Sequence, residues 1–232
     1  MTNDRPFVNV SGRLSITSGF FEVPGTIQAK IDGSGPGGLI VVGQHGNLNV
    51  YGGSASQTIR HVLVESEGYL FVSGSLANAY DAYVNSGGSM HVVDGAGAFE
   101  IETEGSLHLD SASDEVGHIY VNSGGYMEVV GTFVTQATVR YCGAAFIGKG
   151  AHVERIHVCS GAECTVRNGS VASAEIESGA TMSLINGTAT EVFLHSGGVM
   201  TKAGRCKIHY QSISEVGGAV FKDYGNEDEI DD

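Results

Sequence analysis

The amino-acid sequence predicts an all-β fold, a single-stranded parallel β-helix (β-solenoid) of about eleven turns. Three observations lead to this prediction. A nine-residue pattern recurs at intervals of about 19 residues, apolar and other residues alternate within each copy, and glycine separates the apolar positions. Examples are VNSGGSMHV from Val84, VNSGGYMEV from Val121 and IESGATMSL from Ile176. Because so short a unit cannot bury its apolar face alone, neighbouring copies must stack and share one core.

Three apolar columns define each predicted turn. The first column consists of Val8, Val42, Val64, Val84, Ile101, Val121, Val139, Val158, Ile176, Leu194 and Ile213. The second and third columns follow further along each copy, as Met90 and Val92 follow Val84. This alternation predicts short strands with one buried face. The wider gap between Val8 and Val42 leaves room for one degenerate turn.

The repeats predict one solenoid domain over residues 1–222, in which residues 1–41 form degenerate first turns. Glycine pairs such as Gly87 and Gly88 mark sharp corners, where glycine adopts positive φ at little cost. The last ten residues, 223–232, contain six carboxylates. They are predicted to form an acidic, disordered tail.

Composition and charge restrict the partners of this chain. The formal net charge of −14 argues against nucleic acid and anionic membrane as binding surfaces. No segment has the length of an apolar transmembrane helix, so membrane insertion is not expected. The first ten residues, MTNDRPFVNV, contain no apolar core of a signal peptide. These observations leave the compartment open.

The four cysteines occupy different positions within their turns. Cys164 falls in an apolar column, where a thiol packs as a small apolar side chain. No CxxC motif occurs, and no histidine has the spacing that completes a local zinc site. We therefore expect free thiols rather than a disulfide framework, and no cofactor is predicted.

One outward column offers candidate binding residues. It precedes the first apolar column and includes Tyr83, Tyr120, His157 and Phe193. A row of aromatic and imidazole side chains suits a sugar or a protein, although such residues are also ordinary members of a strand surface. The hypothesis is that partners bind along this lateral face.

A second outward column contains His91, His108 and Glu128 on successive turns. Two imidazoles and a carboxylate are suitable ligands for a divalent transition metal. Side chains on adjacent rungs of a ladder run nearly parallel, however, which suits tetrahedral coordination poorly. The sequence therefore predicts no metal site, and these three residues are the weak candidate.

The sequence contains no recognisable catalytic motif. Glycoside-cleaving enzymes need two carboxylates at a defined separation, whereas the aspartates here fall at scattered positions of the turns. Neither a GxSxG motif nor a phosphate-binding GxxxxGK[ST] motif occurs. A non-enzymatic protein is predicted.

The units VNSGGSMHVV, VNSGGYMEVV, IESGATMSLI and LHSGGVMTKA resemble the Ser-Gly-Gly repeats of AIDA-type autotransporter passenger domains, over about residues 42–222. The resemblance implies a bacterial adhesin with a surface-exposed or secreted rod, which mediates attachment or self-association. It also implies glycosylation of serine in the repeats. The serines at the matching position are Ser86, Ser123, Ser160, Ser178 and Ser196.

Three functions follow from these observations. The first is an adhesin-like or surface structural rod that binds a protein or glycan along its lateral face. The alternative is a self-assembling scaffold or filament subunit that stacks through its ends or sides, because regular turns make such stacking easy. A polysaccharide-acting β-helix enzyme is the third.

Overall fold

A computed structural model describes residues 13–16, 19–23, 29–32, 39–52, 57–111, 116–213 and 218–224. Within these ranges the chain consists of β-strands and turns without α-helix. No helix there is long and apolar enough to span a lipid bilayer. Most of the predicted acidic tail, from residue 225 onward, lies outside these ranges. The chain divides into two compact units, Met1–Ile119 and Tyr120–Asp232, so the predicted single domain over residues 1–222 stays a prediction.

Two parallel sheets build the first unit. Its strands are β1 (Arg13–Ile16), β2 (Gly19–Val23), β3 (Ala29–Asp32), β4 (Leu39–Val42), β5 (Gly46–Tyr51), β6 (Gln57–Val64), β7 (Tyr69–Ser73), β8 (Ala77–Val84), β9 (Ser89–Val93), β10 (Gly97–Thr103) and β11 (Ser106–Asp110). One sheet has the order β1-β4-β6-β8-β10, with β3 beside β6, and the other has the order β2-β5-β7-β9-β11. Strand β12 (Val116–Val121) contains the boundary between the units.

The second unit is built in the same way. Its strands are β13 (Tyr126–Val130), β14 (Phe133–Val139), β15 (Ala144–Ile147), β16 (His152–Val158), β17 (Glu163–Arg167), β18 (Ser170–Ile176), β19 (Thr181–Ile185), β20 (Thr188–Leu194), β21 (Val199–Ala203), β22 (Lys207–Ile213) and β23 (Val220–Asp223). One sheet has the order β14-β16-β18-β20-β22 and the other has the order β13-β15-β17-β19-β21-β23.

Parallel pairing in register sets the period of the solenoid. Val139 pairs with Val158, and Val158 pairs with Ile176, so successive turns place equivalent residues side by side. Each turn contributes one strand to each sheet, and the described strands, β3 apart, amount to eleven such turns. The predicted parallel β-solenoid with a period of about 19 residues is confirmed, and the described strands agree with the predicted number of turns.

The predicted apolar columns form the core. In the first unit the second column stacks Leu48, Leu70, Met90 and Leu107 in register, all fully buried. In the second unit the same column includes Met127, Ala145, Cys164, Met182 and Met200. Burial of apolar area stabilises the fold by roughly 25 cal/mol per Å², and stacking extends this gain turn by turn.

The register differs from the prediction on the turn that contains Ile101. Val84 pairs with Thr103, so Thr103 rather than Ile101 occupies the first column. The second-column pair Met90 and Leu107 is as predicted, because the corner between β10 and β11 is two residues shorter than the corner between β8 and β9. Since side chains alternate with a period of two, a shift of two residues leaves the same face buried.

The register also differs at the two ends of the described chain. Ile16 pairs with Val42 and belongs to the first column rather than the third. The predicted first-column residue Val8 lies outside the described residues. Strand β3 follows β2 in the chain and pairs with β6, so it lengthens the turn that begins with β1. At the other end Phe221 pairs with Met200 and belongs to the second column rather than the third.

Corner glycines serve two separate purposes. Gly124 has a φ of 77°, in the left-handed region that favours glycine. Apart from Gly124 itself and its two chain neighbours, no atom of the described residues lies within 4 Å of the position that a Cβ would occupy there. Gly143, in the next corner, has no positive φ, but a Cβ would lie 2.8 Å from the carbonyl oxygen of Arg140 and 2.9 Å from that of Val121. The first glycine is needed for its conformation and the second for close approach of the backbone.

Candidate functional site

Two outward columns lie side by side in the second unit, where β16, β18 and β20 end. The column that precedes the buried first-column residues contains His157, Glu175 and Phe193. The column that follows them contains Cys159, Glu177 and His195. We call these six residues the lateral cluster. In-register pairing aligns the strands, and strand alternation turns all six side chains away from the core.

Two histidine–carboxylate pairs cross the lateral cluster diagonally. His157 Nε2 lies 2.8 Å from Glu177 Oε1, and His195 Nε2 lies 2.8 Å from Glu175 Oε1. Each pair joins adjacent turns, and the two carboxylates come from the same turn, one on each side of the buried Ile176. Exposed ion pairs contribute little to stability, about 0–1 kcal/mol. Their importance here is that they fix the positions of four polar side chains.

The Glu177 carboxylate is held in a defined orientation. The backbone N–H of Ser160 donates a hydrogen bond of 2.9 Å to its Oε2 atom. This hydrogen bond lowers the pKa of Glu177 most, and the hydrogen bond from His157 lowers it further against the opposing effect of burial. Glu177 is therefore an ionised, oriented oxygen donor.

Cys159 places a thiol beside the first of these pairs. One imidazole nitrogen of His157, the Cys159 sulfur and one carboxylate oxygen of Glu177 all lie within 4.8 Å of one another. Burial raises the pKa of the Cys159 thiol, and the neighbouring Glu177 carboxylate raises it further. Nitrogen, sulfur and oxygen donors thus converge at one half-exposed point of the surface.

A concavity of about 250 Å³ borders the lateral cluster. It is lined by Ser160, Glu175, Glu177, Ser178 and His195. The two hydroxyl groups can donate or accept hydrogen bonds, and the two carboxylates can accept them from a polar ligand. The concavity is open to solvent and suits a surface contact rather than an enclosed small molecule.

The four residues predicted for the lateral face are divided between the two units. His157 and Phe193 belong to the lateral cluster, with Glu175 between them. Tyr120 lies in the second unit too, and its ring carries the Arg140 guanidinium at 4.8 Å from the ring centroid.

Tyr83 belongs to the first unit. Its hydroxyl group donates a hydrogen bond of 2.6 Å to Glu104 Oε1, which is again a diagonal contact between adjacent turns. The corrected register places Glu102 directly opposite Tyr83. The binding role of the four predicted residues stays a prediction.

The predicted trio of His91, His108 and Glu128 is divided between the units. His91 and His108 pair in register, with ring centroids 4.5 Å apart. The ring of His91 also meets the ring of Tyr69 edge-on, with centroids 5.2 Å apart, so these imidazoles are part of an aromatic cluster. Glu128 lies in the second unit, where it pairs with Phe146. That these residues bind no metal stays a prediction.

The serines that match the repeat motif lie in corners of the solenoid. Ser86, Ser123, Ser160 and Ser178 are exposed, and Ser196 is partly exposed. Ser160 and Ser178 also line the concavity of the lateral cluster. Their accessibility is what an O-glycosylation site requires, and glycosylation itself stays a prediction. All four cysteines are free thiols, as their spacing predicts.

Comparisons with known proteins support the fold. No protein-family model matches the chain, and no curated protein does. Among solved structures, the chain is similar to a TibC-catalysed, hyper-glycosylated fragment of TibA, residues 55–350. The TM-score is 0.57 and the sequence identity is 19%, over 95% of this chain and 96% of the fragment. At this identity the comparison shows a shared fold, and the resemblance to AIDA-type passenger repeats is confirmed at that level.

Proposed function

We propose that this protein is a non-enzymatic, adhesin-like β-solenoid that binds a protein or glycan along the lateral cluster. The observation that carries the proposal is the pair of oriented His–Glu contacts beside an open concavity of about 250 Å³. Phe193, 37% exposed, adds an apolar surface in the same column. A polar ligand with a hydrophobic face, such as a sugar or a peptide, matches this combination.

The similarity to the TibA fragment supports the adhesin-like assignment through the fold. As part of the same proposal, the protein is located at the cell surface or outside the cell. Because that fragment is hyper-glycosylated, we also propose the exposed corner serines as sites of sugar attachment. Two of them, Ser160 and Ser178, line the concavity. A sugar attached to either serine would therefore alter which ligand the concavity binds.

The binding proposal predicts a charge-reversal phenotype. The chain is applied to immobilised collagen, fibronectin, laminin and a panel of oligosaccharides, and binding is measured by surface plasmon resonance. Glu175→Lys breaks the pair with His195 and reverses a charge at the concavity. We expect it to weaken binding to the recognised surface at least about tenfold, because one lost charge-assisted contact is worth roughly 1.5–3 kcal/mol.

Glu163→Lys is the matched control. Glu163 is an exposed residue of β17, in the other sheet of the second unit, and its replacement makes the same change in net charge. Binding should be retained in this variant. Equal losses in both variants would indicate a general charge effect, and no binding to any surface by the unaltered chain would count against an adhesive function.

Self-association is the second candidate function. Its supporting observation is β23, the last strand in the order of its sheet, where Val220 is 37% exposed and the neighbouring Tyr224 is 55% exposed. A terminal strand with apolar side chains can pair with a strand of another molecule. A molar mass that rises with concentration in light scattering would favour this function, whereas a constant monomer mass would exclude it.

A further inference from the structure

We propose that His157, Cys159 and Glu177 form a binding site for a divalent transition metal, with zinc as the best match. The three donor atoms lie within 4.8 Å of one another. They come from adjacent turns, since His157 ends β16 with Val158, Cys159 begins the corner after it, and Glu177 begins the corner after β18. The site does not depend on whether the lateral cluster binds a protein or glycan.

The donor set determines the class of metal. Imidazole nitrogen and thiolate sulfur favour zinc and its neighbours in the transition series, whereas calcium and magnesium prefer oxygen ligands alone. Zinc bonds of about 2.0–2.3 Å place the ligand atoms of one ion roughly 3–4 Å apart. The three side chains are half-exposed, so small rotations of their outer bonds suffice to close the remaining distance.

The surroundings of the site suit a bound cation. The Ser160 N–H group orients the Glu177 carboxylate through a hydrogen bond of 2.9 Å. Glu175, paired with His195 across the neighbouring diagonal, lines the same concavity as Glu177 and adds negative charge beside the ion. Binding exchanges the thiol proton of Cys159 for the metal: the S–H bond breaks, the metal–sulfur bond forms, and the proton goes to solvent.

Three protein ligands leave the fourth position of a tetrahedral zinc ion open. Because Glu177 also lines the concavity, the ion would border that surface. Water fills such a position, and an oxygen or nitrogen atom of another molecule can replace it. A site with three protein ligands, such as this one, thus differs from a closed structural zinc site, which has four protein ligands.

Cobalt titration of the untagged 232-residue chain tests the site, with a phosphine to keep the thiols reduced. We expect one equivalent of cobalt to produce a sulfur-to-cobalt charge-transfer band in the near ultraviolet and the visible bands of tetrahedral cobalt, and zinc to displace it. Cys159→Ser should abolish the charge-transfer band. Glu177→Gln should keep the band but lower the affinity at least about tenfold, as even changes beyond the ligands themselves cost 10–100-fold.

Cys142→Ser is the control for thiol chemistry. Cys142 is exposed in the preceding corner and is not one of the three ligands, so its replacement should leave the cobalt spectrum unchanged. Far-ultraviolet circular dichroism verifies that each variant is folded. The proposal is overturned if the unaltered chain gives no charge-transfer band, if the band persists in Cys159→Ser, or if Glu177→Gln binds cobalt as tightly as the unaltered chain does.

Discussion

At the residue scale, the column that a side chain occupies determines its burial and its neighbours, because parallel pairing repeats the same surroundings on every turn. Thr103 stands in the first column, next to Val84. It is fully buried, and its Oγ1 atom has no hydrogen-bond partner among the described residues. Thr132 is also buried, but its Oγ1 donates a hydrogen bond of 2.9 Å to the carbonyl oxygen of Val130. The two threonines therefore differ in the satisfaction of one hydroxyl group.

Replacing each threonine by valine should have opposite effects. Thr103→Val removes a buried, unsatisfied hydroxyl group and should raise the free energy of unfolding by about 1–2 kcal/mol. Thr132→Val removes a hydrogen bond to a carbonyl group and should lower it by about 1 kcal/mol. Urea denaturation followed by circular dichroism measures both changes. If the two variants shift the midpoint in the same direction, the hydroxyl of Thr103 is satisfied in solution.

At the element scale, the corners set the spacing between strands. Gly124 and Gly143 occupy neighbouring positions in successive corners, yet only Gly124 has a positive φ. Cys142 shows that the left-handed position also accepts a side chain, since its φ is 56°. The position of Gly143 is stricter, because backbone carbonyl oxygens surround it and cannot move without breaking ladder hydrogen bonds.

Alanine substitution should separate these two kinds of corner glycine. Gly124→Ala introduces strain of about 1 kcal/mol, the usual cost of the left-handed conformation for a residue with a Cβ. Gly143→Ala should cost about 3 kcal/mol, at the upper end for overpacking, because the new Cβ meets backbone. Thermal and urea unfolding of the two variants provide the comparison. Equal destabilisation would mean that the backbone around Gly143 relaxes freely.

At the scale of the whole molecule, the solenoid is a series of nearly interchangeable turns. The corner that starts at Cys159 reads CSGA and the next, from Glu177, reads ESGA. Val158 and Ile176, which precede these corners, pair in register. Neighbouring turns supply the contacts of each turn, so stability is approximately a sum over turns and their interfaces.

Removal of one complete turn should therefore preserve the fold. Deletion of residues 159–176 joins Val158 to the ESGA corner and should leave a cooperative unfolding transition and a β-type circular dichroism spectrum. Deletion of residues 159–167 removes a corner and one strand, which joins β16 directly to the next corner. This half-turn variant should aggregate or unfold. Loss of structure in the full-turn variant would contradict a repeat-by-repeat fold.

The sequence predicts the core of this fold better than its surface. Alternation identifies buried columns, but it cannot distinguish Ile101 from Thr103 as a first-column residue, because both point to the same face. The lateral cluster was harder to predict. His157 and Glu177 belong to different turns, so their contact depends on register and on the diagonal direction of the side chains. Their signal in the sequence was the occurrence of His and Glu in two neighbouring outward columns.

The short corner between β10 and β11 has an evolutionary consequence. The strands on both sides remain in register although this corner is two residues shorter than its neighbour. A change in the length of a corner thus stays confined to that corner, and the flanking strands keep their register. Relatives of this chain can therefore diverge in length without diverging in architecture, and a peptide tag or epitope grafted into a corner should be displayed without disturbing the core.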